Sequence, residues 1–374
     1  MSSSLKLFSI LGIDIRMHIT FPLILVWAAI QFGLIAAAGP AGALFGVIVV
    51  LGLFVIVTLH ELGHSVAARR FGVGVREITL LPIGGVAQLE EIPERPREEF
   101  IVAIAGPAVN AVIAILFLPV FALGLLDLMD PVVLLQDLEA VTVSGVFTYL
   151  FIYNIFLGLF NLLPAFPMDG GRVLRALLAT QLRYTQATSI AATVGRVTAL
   201  FLGLWGFVGG GLFLIFIAFF VYIGAGHEER LAQLRAMLRG VQVDQVYSRN
   251  VRHLSPDNTL REAVEATLSG FQATFPVIDN GEFLGLVNYS TLLQGLDTHS
   301  RETPLREIML TDPPQVAPGD DLYDVQRQLD NAANQLDAVP VLRGATFVGM
   351  LTLRDISEAF RLRNVDPTLL AQSV

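Results

Sequence analysis

The stretch His60-Glu61-Leu62-Gly63-His64 places three ionisable side chains within five residues, at the end of an apolar segment. The residues before it, Gly42 to Leu59, carry no charged side chain and are long enough to cross most of a bilayer. Residues four apart share one face of a helix, so His60 and His64 can reach the same metal ion. Glu61 follows the first ligand and can act on the attacking water. The stretch therefore predicts a membrane-spanning helix with two zinc ligands and a catalytic carboxylate.

The apolar surroundings decide how the HExxH pattern is interpreted. In soluble helices the same spacing is common on a solvated face, which an apolar segment does not offer. Ionisable residues inside a bilayer are costly and usually serve a function. The alternative that remains is a buried polar cluster that bonds to neighbouring helices. The pattern favours hydrolysis of a peptide bond within or beside the membrane.

Composition indicates a membrane protein with a soluble part. The chain has 374 residues, of which 54% are apolar and 15% charged, and such a balance is typical of polytopic membrane proteins. Charged residues are sparse up to Gly226 and frequent from His227 onward. The net charge of −9 and the lack of a basic cluster argue against a nucleic-acid partner. Because the sequence has no cysteine, histidines and carboxylates must hold any zinc.

The apolar runs predict an α-helical polytopic domain of about six transmembrane helices. Arg69 and Arg70 follow the second span, and Arg172 and Arg175 follow the fourth, so these ends face the cytoplasm by the positive-inside rule. Six spans then place both termini in the cytoplasm of a multi-pass protein of the cell membrane. The predicted spans are approximately Ile19–Ala38, Ala43–Ala68, Phe100–Leu126, Val146–Leu163, Ala191–Trp205 and Phe207–Ile223.

The segment Val75–Glu99, between the second and third spans, is rich in β-branched residues and glycine. This composition favours a short β-hairpin that dips towards the membrane, with a strand edge open to an extended peptide. An ordinary cytoplasmic loop is the alternative.

The third zinc ligand is expected to be Asp169. A catalytic zinc site usually has three protein ligands and one open position. Asp169 lies at the cytoplasmic end of the fourth span, at the predicted depth of His60 and His64. The alternative role for Asp169 is a helix cap before Gly170 and Gly171.

The soluble part contains an internal repeat. Val277 and Val341 lie in matching strands about 64 residues apart, and each is followed by a second strand and a helix. The repeat predicts a duplicated βαββα unit of α/β class. The predicted domains are a membrane domain at 1–226, a linker helix at 227–240, and a soluble domain at 241–374 with repeats at about 241–300 and 301–365.

Five segments of the membrane domain together carry a family resemblance: Gly12 to Phe21, His60 to His64, Gly84 to Ala87, Ala105 to Asn110, and Asn161 to Arg172. In these segments the chain resembles the site-2 proteases, which are zinc intramembrane metalloproteases. The resemblance implies that His60, His64 and Asp169 bind Zn²⁺, that Glu61 is the catalytic base, and that Asn161 and Pro167 shape the active site.

The expected reaction is the hydrolysis of a peptide bond by a zinc-activated water. Glu61 takes a proton from the attacking water and passes it to the leaving amine. The developing oxyanion needs further donors, and Asn154 and Asn161 are candidates from the fourth span. Asn154 can equally serve in bonds between helices. The expected substrates are membrane-spanning proteins such as an anti-sigma factor or a membrane-tethered transcription factor.

The soluble repeat resembles a pair of cystathionine-β-synthase-type (CBS) domains. Such pairs commonly bind adenine nucleotides, which implies ATP, ADP or AMP as an effector. The ribose-binding Thr and Asp of that family fall on Thr352 and Asp355, whereas the first repeat has Asn288 and Thr291 there. One nucleotide site is therefore expected. The alternative is a structural or dimerising module that forms a homodimer.

A different class of function is a membrane transporter or channel gated by CBS domains. Its spans should carry paired charges along a pathway, whereas here the intramembrane charges converge on one metal-like group. The protease interpretation is therefore favoured, with the lipid bilayer as the medium of the reaction.

Overall fold

The computed structural model describes residues 4–89, 93–124, 141–270, 272–331, 336–366 and 368–370. The chain divides into two compact units, Met1–Ala232 and Gln233–Val374. The boundary falls inside the segment 227–240 that the sequence treats as a linker. The expected end of the third span, residues 125–126, lies outside the described residues.

Long apolar helices dominate the first unit. Where the first span is predicted, α1 (Pro22–Ile30) runs into a π-helical segment (Gln31–Ile35), which together form a shorter apolar helix. Within the described ranges, five further helices are long and apolar enough to cross a membrane. These are α2 (Gly39–Arg70), α3 (Pro96–Leu116, extended by the short α4, Leu118–Ala122), α5 (Val143–Asn161), α7 (Tyr184–Val208) and α8 (Leu212–Leu238), while α6 (Asp169–Leu178) lies between α5 and α7.

The outer faces of these helices are apolar. Phe201, Trp205 and Phe213 are exposed by 68%, 72% and 77% of their surface. Aromatic rings that are exposed to this extent on neighbouring helices suit a lipid environment rather than water. The polytopic α-helical fold predicted from the sequence is therefore confirmed.

A four-stranded sheet packs against the first helices. Its strands follow the order β1 (Ser4–Ile10), β2 (Ile13–His18), β3 (Val75–Leu81) and β4 (Gly84–Leu89). β2 and β3 are parallel and the two outer pairs are antiparallel, so β4 is an edge strand. Ile13, Ile15 and Ile78 are fully buried in a core shared with α1 and α2. The predicted hairpin is thus β3–β4.

The N-terminal strands β1 and β2 were not predicted. Ile13, Ile15 and Met17 alternate with polar residues in β2, which is the period of a half-buried strand. Since β2 pairs with β3 more than fifty residues later, only the fold reveals its partner.

Glycine allows α2 and α3 to approach each other closely. A Cβ atom on Gly63 would lie 2.8 Å from Val109 Cγ2 and 2.9 Å from the backbone oxygen of Ala105. Any larger side chain in the middle of the HExxH stretch would therefore push the two helices apart. The close approach brings the face of α2 that carries both histidines against α3.

The second unit is a pair of α/β repeats, as predicted. Its sheet has the strand order β5-β6-β8-β7. Its helices and strands are α9 (Leu260–Ser269), β5 (Phe275–Asp279), β6 (Glu282–Val287), α10 (Tyr289–Thr298), α11 (Leu322–Asn331), β7 (Ala338–Arg343), β8 (Thr346–Thr352) and α12 (Leu353–Val365).

Each repeat receives a short stretch of backbone from outside its own strands. Ser248 pairs with Met350 in β8 of the second repeat, while Leu310 pairs with Leu286 in β6 of the first. The first strand of each predicted repeat is reduced to a single parallel bridge, Leu254 to Val277 and Val316 to Val341. The exchange ties the two repeats into one unit and brings Ser248 to the second repeat.

The last two apolar helices differ from their predicted bounds. The turn between them lies at Gly209 to Gly211 rather than at Gly206, because Gly206 packs against Ile215 within the helical hairpin. The polar helix predicted from His227 is a continuation of α8, which runs unbroken to Leu238. A helix can continue from an apolar into a polar stretch of sequence without ending, since its backbone hydrogen bonds are satisfied internally.

Candidate active site

Three buried side chains from two distant parts of the chain meet in the first unit. His60 Nε2 and His64 Nε2 lie 3.2 and 3.1 Å from Asp169 Oδ2, and 3.2 Å from each other. The three residues are exposed by only 3%, 7% and 8%. Among the described residues this is the one group of three or more potential ligands that could hold a metal ion. The structure thus brings together the three residues predicted as zinc ligands.

The distances suit a tetrahedral zinc ion. Donor atoms about 2.0–2.1 Å from such an ion lie about 3.3–3.4 Å from one another, which is close to the separations observed here. Two nitrogen donors and one carboxylate oxygen are also a donor set that zinc accepts at catalytic sites.

Hydrogen bonds on the far side of each ring select the nitrogen that faces the centre. His60 Nδ1 lies 2.5 Å from Asn110 Oδ1, and His64 Nδ1 lies 2.7 Å from the backbone oxygen of Val102. Both partners are acceptors, so each Nδ1 donates its proton and each Nε2 keeps a free lone pair. Both histidines are therefore held ready to bind a metal through Nε2.

Asn110 is a functional residue whose role the sequence reasoning missed. Its amide nitrogen donates to Asn154 Oδ1 at 2.8 Å, and the Asn154 amide donates to the backbone oxygen of Asn110 at 2.9 Å. Asn154 thus supports Asn110, which in turn orients His60, so Asn154 takes the interhelical role rather than facing the centre. The signal that could have identified Asn110 is an amide in the middle of an apolar helix.

Gly106 leaves room for the two imidazoles. A Cβ atom at this position would lie 2.2 Å from His64 Nε2 and 2.7 Å from His60 Nε2. The backbone of α3 therefore forms the wall against which both donor nitrogens rest.

Asp169 reaches the centre from the first turn of α6. The N-cap of this helix is Met168 and no side chain caps it, so the Asp169 carboxylate turns to the histidines instead of acting as the cap. Gly170 and Gly171 pack directly on the preceding loop, since a Cβ atom on Gly170 would lie 2.2 Å from the backbone oxygen of Leu163. From α8, Gly224 contacts Pro167 in the same close manner.

Glu61 lies between the histidines and the edge strand β4. Its Oε2 accepts a hydrogen bond of 3.3 Å from the backbone nitrogen of Ala87. A Cβ atom on Gly85 would lie 3.1 Å from Glu61 Cγ. Because the Ala87 N–H points to Glu61, it points away from β3, and so does that of Gly85, two residues earlier in the strand. The open edge of β4 therefore runs along Glu61.

The side-chain amide of Asn161, which the sequence predicts in the active site, bonds within its own helix rather than to any of the three ligands. The side-chain nitrogen of Asn161 donates to the backbone oxygen of Leu157, one turn earlier in α5, at 3.0 Å.

A second concave site lies in the second unit. A cavity of about 800 Å³ is lined by Ser248, Thr352, Arg354 and Asp355, among others. Asp355 Oδ2 accepts from the Thr352 backbone and hydroxyl at 2.8 and 2.7 Å, and Asp355 Oδ1 accepts from the Ser248 hydroxyl at 3.0 Å. The two residues predicted to bind ribose are thus neighbours in one cavity. Ser248 lies beside them because its backbone pairs with Met350 in β8.

Family models match both parts of the chain. The model described as peptidase family M50 matches residues 48–127 and 122–202, and the CBS domain model matches residues 243–297 and 305–362.

Curated relatives extend the likeness along the chain. The zinc metalloprotease MJ0392 of Methanocaldococcus jannaschii is 32% identical over 364 residues, which cover 97% of each chain. The putative zinc metalloprotease Rip3 of Mycobacterium tuberculosis is 31% identical over 83% of this chain and 80% of its own. A solved structure of a site-2 protease from Methanocaldococcus jannaschii is 40% identical and covers 61% of this chain and 95% of its own, with a TM-score of 0.43.

A substitution at Gly106 tests whether the backbone of α3 limits the space for the donor nitrogens of His60 and His64. Gly106→Ala should weaken zinc binding strongly while the protein still inserts and folds, because the added methyl group displaces both donor nitrogens. The measurement is zinc affinity by chelator competition on the purified full-length protein. Gly226→Ala is the matched control, since a Cβ atom there meets only Arg196 NH2 at 4.0 Å. Equal zinc affinity in both variants would contradict the assigned wall.

Proposed function

The chain belongs to peptidase family M50, the site-2 proteases. On that premise we propose that it cleaves membrane-spanning proteins and that its active site consists of His60, Glu61, His64 and Asp169. Its relatives are named as zinc metalloproteases, and the chain is a zinc metalloprotease. The observation that carries the proposed site is the group of three buried donor atoms within 3.2 Å of one another. A CBS-gated transporter has no comparable support.

The protein groups divide the chemistry between them. Zinc at this centre would supply a Lewis acid for the water and the substrate carbonyl. His60, His64 and Asp169 would hold it, and three protein ligands are the usual number at a catalytic zinc site. Glu61 accepts the proton of the attacking water and then donates it to the leaving amine. Asn110 and the Val102 carbonyl keep the imidazoles in the tautomer that binds metal.

Asn161 is proposed as a donor to the oxyanion that develops at the scissile carbonyl. Its amide lies near the end of α5, only a short loop before Asp169. Reaching the oxyanion requires the Asn161 amide to exchange the Leu157 carbonyl for the substrate, which a side-chain rotation allows.

The open edge of β4 is proposed to receive the substrate backbone. A peptide bond inside a transmembrane helix is protected, because its amide groups are already bonded within the helix. An unwound segment that pairs with Gly85 and Ala87 regains hydrogen bonds and lies beside Glu61, and the Ala87 N–H then exchanges Glu61 Oε2 for a substrate carbonyl. The substrate class follows as single-span proteins with a locally unstable helix, such as an anti-sigma factor or a membrane-tethered transcription factor. Cytoplasmic termini, proposed from the basic clusters, place the scissile bond towards the cytoplasmic side.

The cavity around Thr352 and Asp355 is proposed to bind an adenine nucleotide that modulates cleavage. Asp355 retains about one acceptor site, on Oδ1, for a ribose hydroxyl beyond its three internal bonds. Arg354 lines the same cavity and is 2.8 Å from Glu358, so phosphate can compete for an exposed cation. Modulation requires that the nucleotide bind two states of the protein unequally.

Glu61→Gln should abolish cleavage and retain zinc. The amide keeps the size of the side chain but cannot accept a proton, and general-base catalysis contributes about 10²- to 10⁴-fold. Cleavage of a candidate single-span substrate and zinc content are measured on the same preparation. Asp169→Ala is the contrasting variant and should lose zinc. Wild-type cleavage by Glu61→Gln would exclude it as the base, and full zinc occupancy in Asp169→Ala would remove Asp169 from the centre.

Ala87→Pro should lower cleavage by about two- to tenfold with zinc unchanged, because it removes the N–H that bonds Glu61 at 3.3 Å and that is proposed to turn to the substrate. One backbone hydrogen bond contributes about 0.5–1.5 kcal/mol. Proline is tolerated where the N–H of an edge strand points away from the sheet. The control Ala87→Gly keeps the N–H and should cleave at near the wild-type rate. If both variants cleave equally, the substrate does not pair at Ala87.

Asp355→Ala should weaken nucleotide binding by about 10- to 150-fold, because a charged acceptor contributes about 1.5–3 kcal/mol. Calorimetry with AMP, ADP and ATP on the full-length protein provides the measurement. Glu262→Ala is the matched control, since Glu262 closes a similar capping box at Thr259 outside the cavity. If no nucleotide binds the wild type at millimolar concentration, or if binding leaves cleavage unchanged, the module is better explained as a dimerisation or docking element.

A further inference from the structure

A buried ion cluster lies in the first unit away from the three ligands. Arg175 is exposed by 2% and Glu99 by 1%. Arg175 donates through Nε and NH2 to Glu99 Oε1 at 2.7 and 2.5 Å, and through NH1 to Glu228 Oε2 at 3.2 Å. Its guanidinium also lies 4.9 Å from the ring centres of both Phe166 and Tyr184.

The cluster connects the helices that build the metal centre. Arg175 lies on α6, the helix that begins with Asp169. Glu99 lies on α3, one turn before Val102, whose backbone oxygen orients His64. The ion pair therefore joins the helix of the third ligand to the helix that orients and supports both histidines. Glu228 adds α8 to the same cluster.

Stability alone is a weak explanation for such a pair. Removing two charges from water costs several kcal/mol per ion, and well-packed apolar residues of similar volume often stabilise as well or better. Glu99 Oε2 is buried and has no hydrogen-bond partner among the described residues. What a guanidinium fork provides beyond stability is a fixed direction and register.

We propose that Glu99 and Arg175 are positioning residues of the metal centre. The loop 162–168 interrupts the helical path between α5 and α6, so helix continuity does not fix the place of α6. The Glu99–Arg175 pair sets α6 against α3 and thereby sets the distance from Asp169 Oδ2 to the two imidazoles. The proposal rests on the metal centre described above and adds residues that touch neither metal nor substrate.

The test measures the metal centre directly on the purified full-length protein. Glu99→Gln removes one charge at constant size, and Arg175→Lys keeps the charge but loses the fork. Both should weaken zinc binding by about 10- to 100-fold, as loss of outer partners of metal ligands does. Both should also change the visible absorption of the Co²⁺-substituted protein. Glu229→Gln is the matched control, because Glu229 follows Glu228 in α8 and pairs with Arg196 instead. It should alter neither measurement.

A double variant separates positioning from stability. Glu99→Met with Arg175→Met replaces the pair by apolar side chains, which should restore the melting temperature while zinc binding stays weak and the Co²⁺ spectrum stays altered. The proposal is wrong if the double variant regains wild-type zinc affinity, or if the single variants never lose it. A different result would contradict the proposed metal centre itself, namely zinc binding by Asp169→Ala that is as tight as that of the wild type.

Discussion

The shared oxygen of Asp169 is the contact on which the proposed active site depends. A single carboxylate oxygen lies 3.1–3.2 Å from two imidazole nitrogens, although more than a hundred residues separate it from them in the chain. The arrangement requires α2, α3 and the start of α6 to meet at one depth. Gly63, Gly106 and Gly170 make this convergence possible, because each sits where a Cβ atom would strike a neighbouring atom. The small residues around the motif are thus as necessary to the centre as the ligands.

The apolar surroundings impose a second requirement, that each polar group of the site find a partner. In a bilayer, water does not compensate an unpaired group, so polar side chains bond to one another across helices. His60, Asn110 and Asn154 form one such chain from α2 through α3 to α5. The partners that lower the cost of burial also fix the orientation of the ligand, so satisfying the polar groups and preparing the metal site are the same structural task.

The chemistry of the site is easier to predict from sequence than its geometry. HExxH needs only helical periodicity, and Asp169 needs only a carboxylate at matching depth, so both follow from local patterns. The role of Asn110 does not, because it depends on which face of α3 meets α2. The sheet shows the same limit. The β3–β4 hairpin is local and was predicted, whereas β1 and β2 join it by a parallel pairing over a long separation. Likewise, the unbroken α8 was divided in two because a change of composition was interpreted as a change of structure.

The continuity of α8 places the contacts of two units on one helix. Glu228 bonds Arg175 on α6, the helix that begins with Asp169, and Glu229 pairs with Arg196. Leu238, ten residues after Glu228 on the same helix, is fully buried among the apolar residues of the second unit. Because the backbone hydrogen bonds of a helix are satisfied internally, α8 passes from an apolar to a polar composition without ending. The change of composition therefore marks the approximate boundary between the units, although no helix ends there.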